Sequence, residues 1–378
     1  MKEKLMIPHR QVIFGTAISI LLAAVSVAQT VRYEVPFPSL PGTEVVLCDL
    51  HTHTVFSDGS VWPRVRIDEA WRLGLHAIAI TDHIEYQPWR DDVRIDNLDR
   101  SFELAVGPAR EFGIMLIRGA EITRDTPPGH FNAVFLQRVS DLAFLKDVGK
   151  EDVEGLLKAF QLAVEQGAFI FWNHPGWKGP ELGKWGPIQE ELFNQGMLHG
   201  IEICNGATYY REAHEYALDK NLTLIGTSDI HGPDLAKRTT PTEHRTLTLA
   251  FAKKRTPEAL REALMAGQTI VWHQDMLIGR QPILEAFFEQ CLKVHGPNLR
   301  TQNRVLLVLE NCSAVDIRLE RAGNVGPATL TVPAGGQILV NIGTNQPQAP
   351  IELKYVVSNW WIAPDVGLPV VIRVPGAE

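Results

Sequence analysis

The chain has 378 residues, 45% hydrophobic and 21% charged, which is more than one ordinary domain needs. Its formal net charge of −8 argues against a polyanion as preferred partner, because phosphate backbones are held by basic surface. Four cysteines (Cys48, Cys204, Cys291, Cys312) could form disulfides if the chain is exported.

At the N-terminus, Lys2, Lys4 and Arg10 precede VIFGTAISILLAAVSV, an apolar run of roughly 16 residues followed by small residues at Ser26 and Ala28. This order predicts a secretory signal peptide over 1–28. An uncleaved anchor is the alternative, but the run falls short of the ~20 residues that span a bilayer. Cleavage leaves 33 basic against 43 acidic residues, no membrane span, and an exported, periplasmic protein. In that setting the four cysteines allow three pairings. Cys48 and Cys204 fall within strand patterns, so buried free thiols carry at least equal weight.

From 44 to 280 short apolar runs alternate with helical segments. VVLCDL is followed by PRVRIDEAWRLG, HAIAITDH, IDNLDRSFELAVGPAREFG and IMLIRGAEI. FNAVFL, EDVEGLLKAFQLAVEQG, AFIFWNHP, GIEICNG, REAHEYALDKN and LTLIGTSDIH continue the series. Such alternation predicts β/α units with a largely parallel sheet. Thr256-Pro257 and Gly267 punctuate a further helix as cap, first residue and stop. Residues 281–303 read as a helical linker. From Arg304 to 378 six short strand patterns follow, with AVDIRLER alternating cleanly, and predict a small antiparallel β-sandwich.

Chemistry gathers at the strand ends. The first strand runs into DLHTHTVFSDGS, where Asp49, His51 and His53 share one side of an extended chain and Asp58 follows. The second ends in Asp82-His83, the third in Glu121, the fifth in NHPGW with His174, the sixth in Glu202 and Asn205, and the seventh in Asp229 and His231. In a parallel barrel these ends share the face where active sites lie. His130 alone enters at a strand start, which predicts a local reversal. Imidazoles mixed with carboxylates, without thiolate, suit Zn²⁺, Mn²⁺ or Fe²⁺.

With HTH, SDG, TDH, a lone Glu, NHP and SDIH in that order, residues 44–273 resemble the polymerase and histidinol phosphatase (PHP) family of metal-dependent phosphoesterases. The resemblance implies a distorted (β/α)₇ TIM-like barrel holding two or three divalent ions. It implies one site from His51, His53, Glu121 and Asp229, a second from Glu121, His130 and His174, and a third from Asp58, His83 and His231. Stretches such as PPGHFNAVFL and VVSNWWIAPDVGLPV also look like exported bacterial PHP phosphodiesterases acting on organophosphate diesters.

The expected activity is therefore hydrolysis of a small phosphodiester by metal-activated hydroxide, with Asp229 or His231 shuttling the proton. An exported phosphomonoesterase, a metal-dependent carbamate or amide hydrolase, and a binding protein are the alternatives. Arg211 is a candidate for a phosphate oxygen, against the plainer reading of a solvated helix-start charge. Asp49 and Asp82 precede ligands and can orient imidazoles or simply shape the strand edge; Glu202 is either such a support or an ion-pair partner. Trp172, Trp177 and Trp185 are candidates for a pocket wall, as are Trp62, Tyr86, Trp89 and Tyr209, each against packing beneath loops. His76, ahead of a buried strand, reads as structural, as do His199, His214 and His273.

Overall fold

The computed structural model describes residues 31–235, 240 and 242–377. The expected signal peptide lies outside the described residues. Eleven strands come first: β1 (Glu44–Asp49), β2 (Ala77–Ile80), β3 (Met115–Ile122), β4 (Phe131–Val134), β5 (Phe169–Trp172), β6 (Gly200–Asn205), β7 (Thr208–Tyr209), β8 (Thr223–Thr227), β9 (Leu247–Ala252), β10 (Thr269–His273) and β11 (Met276–Gly279). Between them run α1 (Pro63–Arg72), α2 (Arg100–Phe112), α3 (Val153–Glu165), α4 (Pro187–Asn194), α5 (Arg211–Asp219) and α6 (Pro257–Met265).

Seven of the strands make a distorted barrel. β1, β2 and β3 are parallel neighbours, β4 runs antiparallel to both β3 and β5, and β5, β6 and β8 are again parallel. The reversal expected at His130 is thus present. Closure comes where β8 returns to β1: Thr52 bridges Ile230, the His53 amide donates to Ile230 O at 3.1 Å, and the Asp229 amide donates to His51 O at 3.0 Å. The strands are buried along their lengths, and so read as apolar runs rather than alternating ones.

The rest of the sheet leaves the barrel. β1 pairs antiparallel with β9, β9 with β10 and β10 with β11. The helix α7 (Gln281–Cys291) then leads to β12 (Leu292–Arg300), β13 (Arg304–Asn311), β14 (Ile317–Arg321), β15 (Thr329–Val332), β16 (Gln337–Gly343), β17 (Ile351–Ala363) and β18 (Val366–Val374). Two antiparallel sheets, β12-β13-β16 and β15-β14-β17-β18, enclose Leu307, Leu309, Ile317, Val340, Leu353 and Val357.

The 281–303 linker is corrected in its second half: the helix stops at Cys291 and β12 pairs with β13. Gly296-Pro297 lies at the register shift within β12 and interrupts its alternation, which hides the strand from a periodicity reading. Nor does the module hang on a linker alone. β11 and β17 pair in parallel at Leu277–Trp360 and Ile278–Trp361, so one sheet runs from the barrel into the C-terminal strands. All four cysteines are free thiols; Cys48, Cys204 and Cys291 are buried.

Candidate metal centre

The nine side chains expected to bind metal converge on the C-terminal end of the barrel. His51 Nε2, His53 Nε2, Glu121 Oε2 and Asp229 Oδ1 stand at the corners of one small polyhedron. His51 lies 3.1 Å from His53, 3.1 Å from Glu121 and 3.2 Å from Asp229; His53 lies 3.2 Å from Glu121 and 3.0 Å from Asp229. Tetrahedral bonds of 2.0–2.1 Å put donor atoms about 3.3–3.4 Å apart, so these edges fit a transition-metal ion. The other Glu121 oxygen, Oε1, faces His130 Nδ1 at 2.9 Å and His174 Nε2 at 3.5 Å. Asp58 Oδ1 lies 3.1 Å from His231 Nε2 and 3.5 Å from His83 Nε2.

The groups overlap more than three separate sites would. His53 joins Asp58, His83 and His231, with all four ligand atoms within 4.8 Å of one another. His83 Nδ1 also reaches Glu121 Oε2 at 3.1 Å, and His83, Glu121 and His130 form a further trio.

Whether such residues suit a cation is tested by their protons. His51 Nδ1 donates to Glu202 Oε1 at 2.8 Å, which turns Nε2 towards another imidazole and two carboxylates, where a cation can replace its proton. Asp58 Oδ1 and Asp229 Oδ1 are buried carboxylate oxygens without a hydrogen-bond donor. Lone pairs converging in a dry place call for positive charge, and the donor set fits a divalent ion.

Electrostatics run the same way. Burial pushes the Glu121 carboxyl up, but His83 and His51 outweigh it and hold it well below the usual carboxylate range. Asp229 is likewise held down against its burial, by His51 and His53, and Asp58 by His231 and His83. Burial pushes the His51 imidazole down while Asp229, Glu121 and Glu202 raise it well above its ordinary value.

Local backbone fixes the positions. His174 and Asp229 sit at φ of 25° and 51°, a left-handed region that costs non-glycine residues about 1–3 kcal/mol and needs support from its surroundings. Gly59 of the SDG turn lies so close to the first strand that an added Cβ would meet the His53 carbonyl carbon at 2.6 Å. Asp82 accepts from the Thr54 amide and from the Thr54 and Ser57 hydroxyls, and Ser57 Oγ lies 3.2 Å from His53 Nδ1. Asp49 does not touch an imidazole; it accepts from Ser228 and Arg245. Glu202 supports four groups at once: His51, the His174 amide, Thr227 and Asn205.

Two arginines escaped the sequence reading. Arg66, fully buried on α1, donates to the carbonyls of His53 (2.7 Å), His231 (2.8 Å), Gly232 (2.9 Å) and Ile230 (3.0 Å), and so clamps two ligand-bearing segments together. Arg245 ties Asp49, Glu69 and Asp234 behind it. Neither carries a sequence signal, since a helix-face arginine and one beside an exposed turn look solvated. Asn173 is also added, while Asn205 stands where its strand-end position placed it. Asn173 donates to Glu121 Oε1 at 3.0 Å, and Asn205 to Glu202 at 2.9 Å.

Arg211 is not brought into the site. It is exposed at the start of α5 and pairs with Asp365 and, at 3.3 Å, with Glu215. Of the aromatics, only Trp177 lines the cavity, which holds about 330 Å³ between Asp58, His83, His130, His174, Asn205 and His231. Its ring centroid is 5.7 Å from those of both His130 and His174. Tyr86 stands edge-on to His83 at the rim. Trp172 is core, Trp185 packs on it, Trp62 meets Phe56, Trp89 donates to Gly59 O, and Tyr209 meets Trp361. A larger hollow of about 510 Å³ opens at the opposite barrel end beside Arg118 and Arg261, but it gathers no metal-binding side chains.

Comparison with known proteins agrees with this geometry. A PHP domain is matched over residues 49–176 and an Ig-like domain over 292–373. The crystal structure of a two-domain protein from Bacteroides vulgatus, containing a predicted PHP-like metal-dependent phosphoesterase, superposes with a TM-score of 0.82 at 41% identity, covering 91% of this chain and 99% of that one. An uncharacterised protein of Methanocaldococcus jannaschii is 28% identical over 197 residues, 49% of this chain and 82% of its own.

Proposed function

This chain belongs to the PHP family of metal-dependent phosphoesterases, and from that premise we propose that it hydrolyses small organophosphate diesters with two to three divalent ions, after export. The observation that carries the diester reading is the lining of the cavity, where Trp177 stands beside imidazoles, carboxylates and Asn205. A phosphomonoester near pH 7 brings up to two negative charges and a single ester group. A diester brings one, and its second ester group needs an apolar wall. Trp177 supplies that wall beside the reacting centre.

His51, His53, Glu121 and Asp229 would hold one ion, Glu121, His130 and His174 a second, and Asp58, His83 and His231 a third. Bound there, divalent ions make water acidic near neutral pH and polarise phosphoryl oxygens. The residues do the rest. Glu202 and Asn173 keep His51 and Glu121 in their rotamers, so the phosphoryl group meets a preorganised surface. Asp229, through the Oδ2 that does not face His51 and His53, accepts the proton of the attacking water, and His231, 39% exposed at the mouth, stands beside it. Trp177 holds the spectator ester group and excludes water from that side. No covalent nucleophile takes part.

The test compares bis-aryl phosphate with the corresponding aryl monophosphate under identical metal loading. The expected kcat/KM ratio favours the diester by at least about tenfold, which is ~1.4 kcal/mol of transition-state discrimination. A monoester rate equal or higher would assign a general phosphomonoesterase instead.

A further inference from the structure

The motif NWWIAPD, residues 359–365, belongs to the C-terminal module, yet its two tryptophans serve different neighbours. Side chains alternate along a strand. Trp360 is fully buried among Phe287 and Phe288 of α7. Trp361 turns the other way, onto the barrel, with its ring 5.4 Å from Tyr209 and edge-on to it. The parallel pairing of Leu277 with Trp360 and of Ile278 with Trp361 fixes the strand there, and Trp361 Nε1 donates to Ser358 O at 3.0 Å. Asp365, in the turn after β17, pairs with Arg211.

These contacts fall on one short stretch of the barrel. Cys204 pairs with Tyr209 and Asn205 with Thr208, and the Tyr210 amide donates to Ile203 O at 2.8 Å. Asn205, at the tip, lines the cavity and donates to Glu202. Tyr210 lies behind the other wall: a Cβ added to Gly176 would meet its ring at 3.1 Å, so Tyr210 backs the turn that carries His174 and Trp177. Tyr209 and Tyr210 are half-buried, and without Trp361 the outer face of this hairpin would lose its covering aromatic.

We propose that Trp361 is a positioning residue for the substrate cavity: the Ig-like module holds the 203–211 hairpin against the barrel, and through Tyr210 the hairpin fixes the Trp177 wall. The module thereby shapes the space for the spectator ester group, a role that rests on the diester reading above. The ligands His51, His53, His83 and Glu121 come from other segments, on β3 or in the turns that follow β1 and β2.

Hydrogen exchange measured by mass spectrometry on the full chain tests the positioning without reference to activity. In Trp361→Ala, peptides covering 203–211 and 174–183 are expected to exchange at least about tenfold faster. Peptides of β2 and β3 should match wild type, and Trp361→Phe should restore slow exchange by keeping an aromatic there. Unchanged exchange in both peptides would overturn the proposal. If Trp361→Ala does not fold, Tyr209→Ala removes the same contact from the barrel side and is read on 174–183, because Tyr209 also meets His214 Nδ1 at 3.0 Å.

Kinetics test the consequence for the substrate. With a common leaving group, Trp361→Ala should raise KM for a bis-aryl diester about tenfold and leave a methyl aryl diester within about twofold. An equal loss on both substrates would overturn the pocket-shaping role. A wild-type enzyme without diester turnover would count against the diester reading alone, since the exchange result stands apart from it.

Discussion

Glu121 shows how much one side chain can be asked to do. Its Oε2 faces His51, His53 and His83, and its Oε1 faces His130 and His174, with Asn173 fixing the plane between them. Substituting groups that only support metal ligands costs about 10–100-fold, so Glu121→Ala is expected to lose more than about a hundredfold in kcat/KM together with bound metal. Arg211→Ala should stay within about twofold in both, because its guanidinium answers Asp365 and Glu215 at the surface, where ion pairs contribute little. Elemental analysis alongside steady-state kinetics checks the pair. Full metal and activity in Glu121→Ala would undo the assignment of the site.

At the scale of elements, the barrel uses one device twice at the end where its parallel strands begin. His76 precedes β2, accepts the Leu47 amide on Nδ1 at 2.9 Å and donates its own amide to Leu47 O at 2.8 Å. His199 precedes β6 and does the same with Ile170, at 2.9 Å for both bonds. Each ring extends a parallel ladder by one acceptor, which serves only while Nδ1 is unprotonated. Burial, helped by Arg255 and Arg32, brings His76 down to about 4, and burial with Arg261 does so for His199. In the unfolded chain these rings titrate near ~6.5, so between those values the unfolded state binds more protons. Their stabilisation is therefore complete above about pH 6.5 and is lost as pH falls towards 4. Urea midpoints of the double variant His76→Asn, His199→Asn, whose amide oxygens still accept but do not titrate, should fall less steeply over that window. Parallel profiles for variant and wild type would show that the slope arises elsewhere.

The whole molecule is acidic and still gathers buried carboxylates at one point. With Glu121 and Asp229 surrounded by imidazoles, bound cations should stabilise the folded chain, by about 4 kcal/mol for a site filled at a thousand times its Kd. Purified protein is expected to carry at least two transition-metal ions per chain. Chelation should lower Tm by several degrees, and Mn²⁺ or Zn²⁺ should restore both Tm and activity. Under one ion per chain, with neither response, would refute the cluster. The same scale shows why the C-terminal module matters: the sheet that begins in the barrel continues through β11 into β17, so the two parts share a hydrogen-bonded seam.

Ligand identity was legible in the sequence because each side chain stands beside a local signal. HTH spaces two imidazoles by the strand period, and TDH, NHP and SDIH mark the ends of buried apolar runs, so strand geometry alone aims them at one face. The reversal of β4 was legible for the same reason, since His130 sits at the wrong end of its run. What only the tertiary structure decided are contacts between segments far apart in the chain. Arg66 and Arg245 look like surface charges until packing removes their water and leaves backbone carbonyls and carboxylates as partners. Arg211 looks like a phosphate ligand until Asp365, 154 positions away, meets it first. The Gly-Pro interruption hid β12, and nothing in NWWIAPD tells which tryptophan faces the barrel until β17 pairs with β11. Periodicity speaks for one element at a time, whereas these outcomes depend on which elements become neighbours.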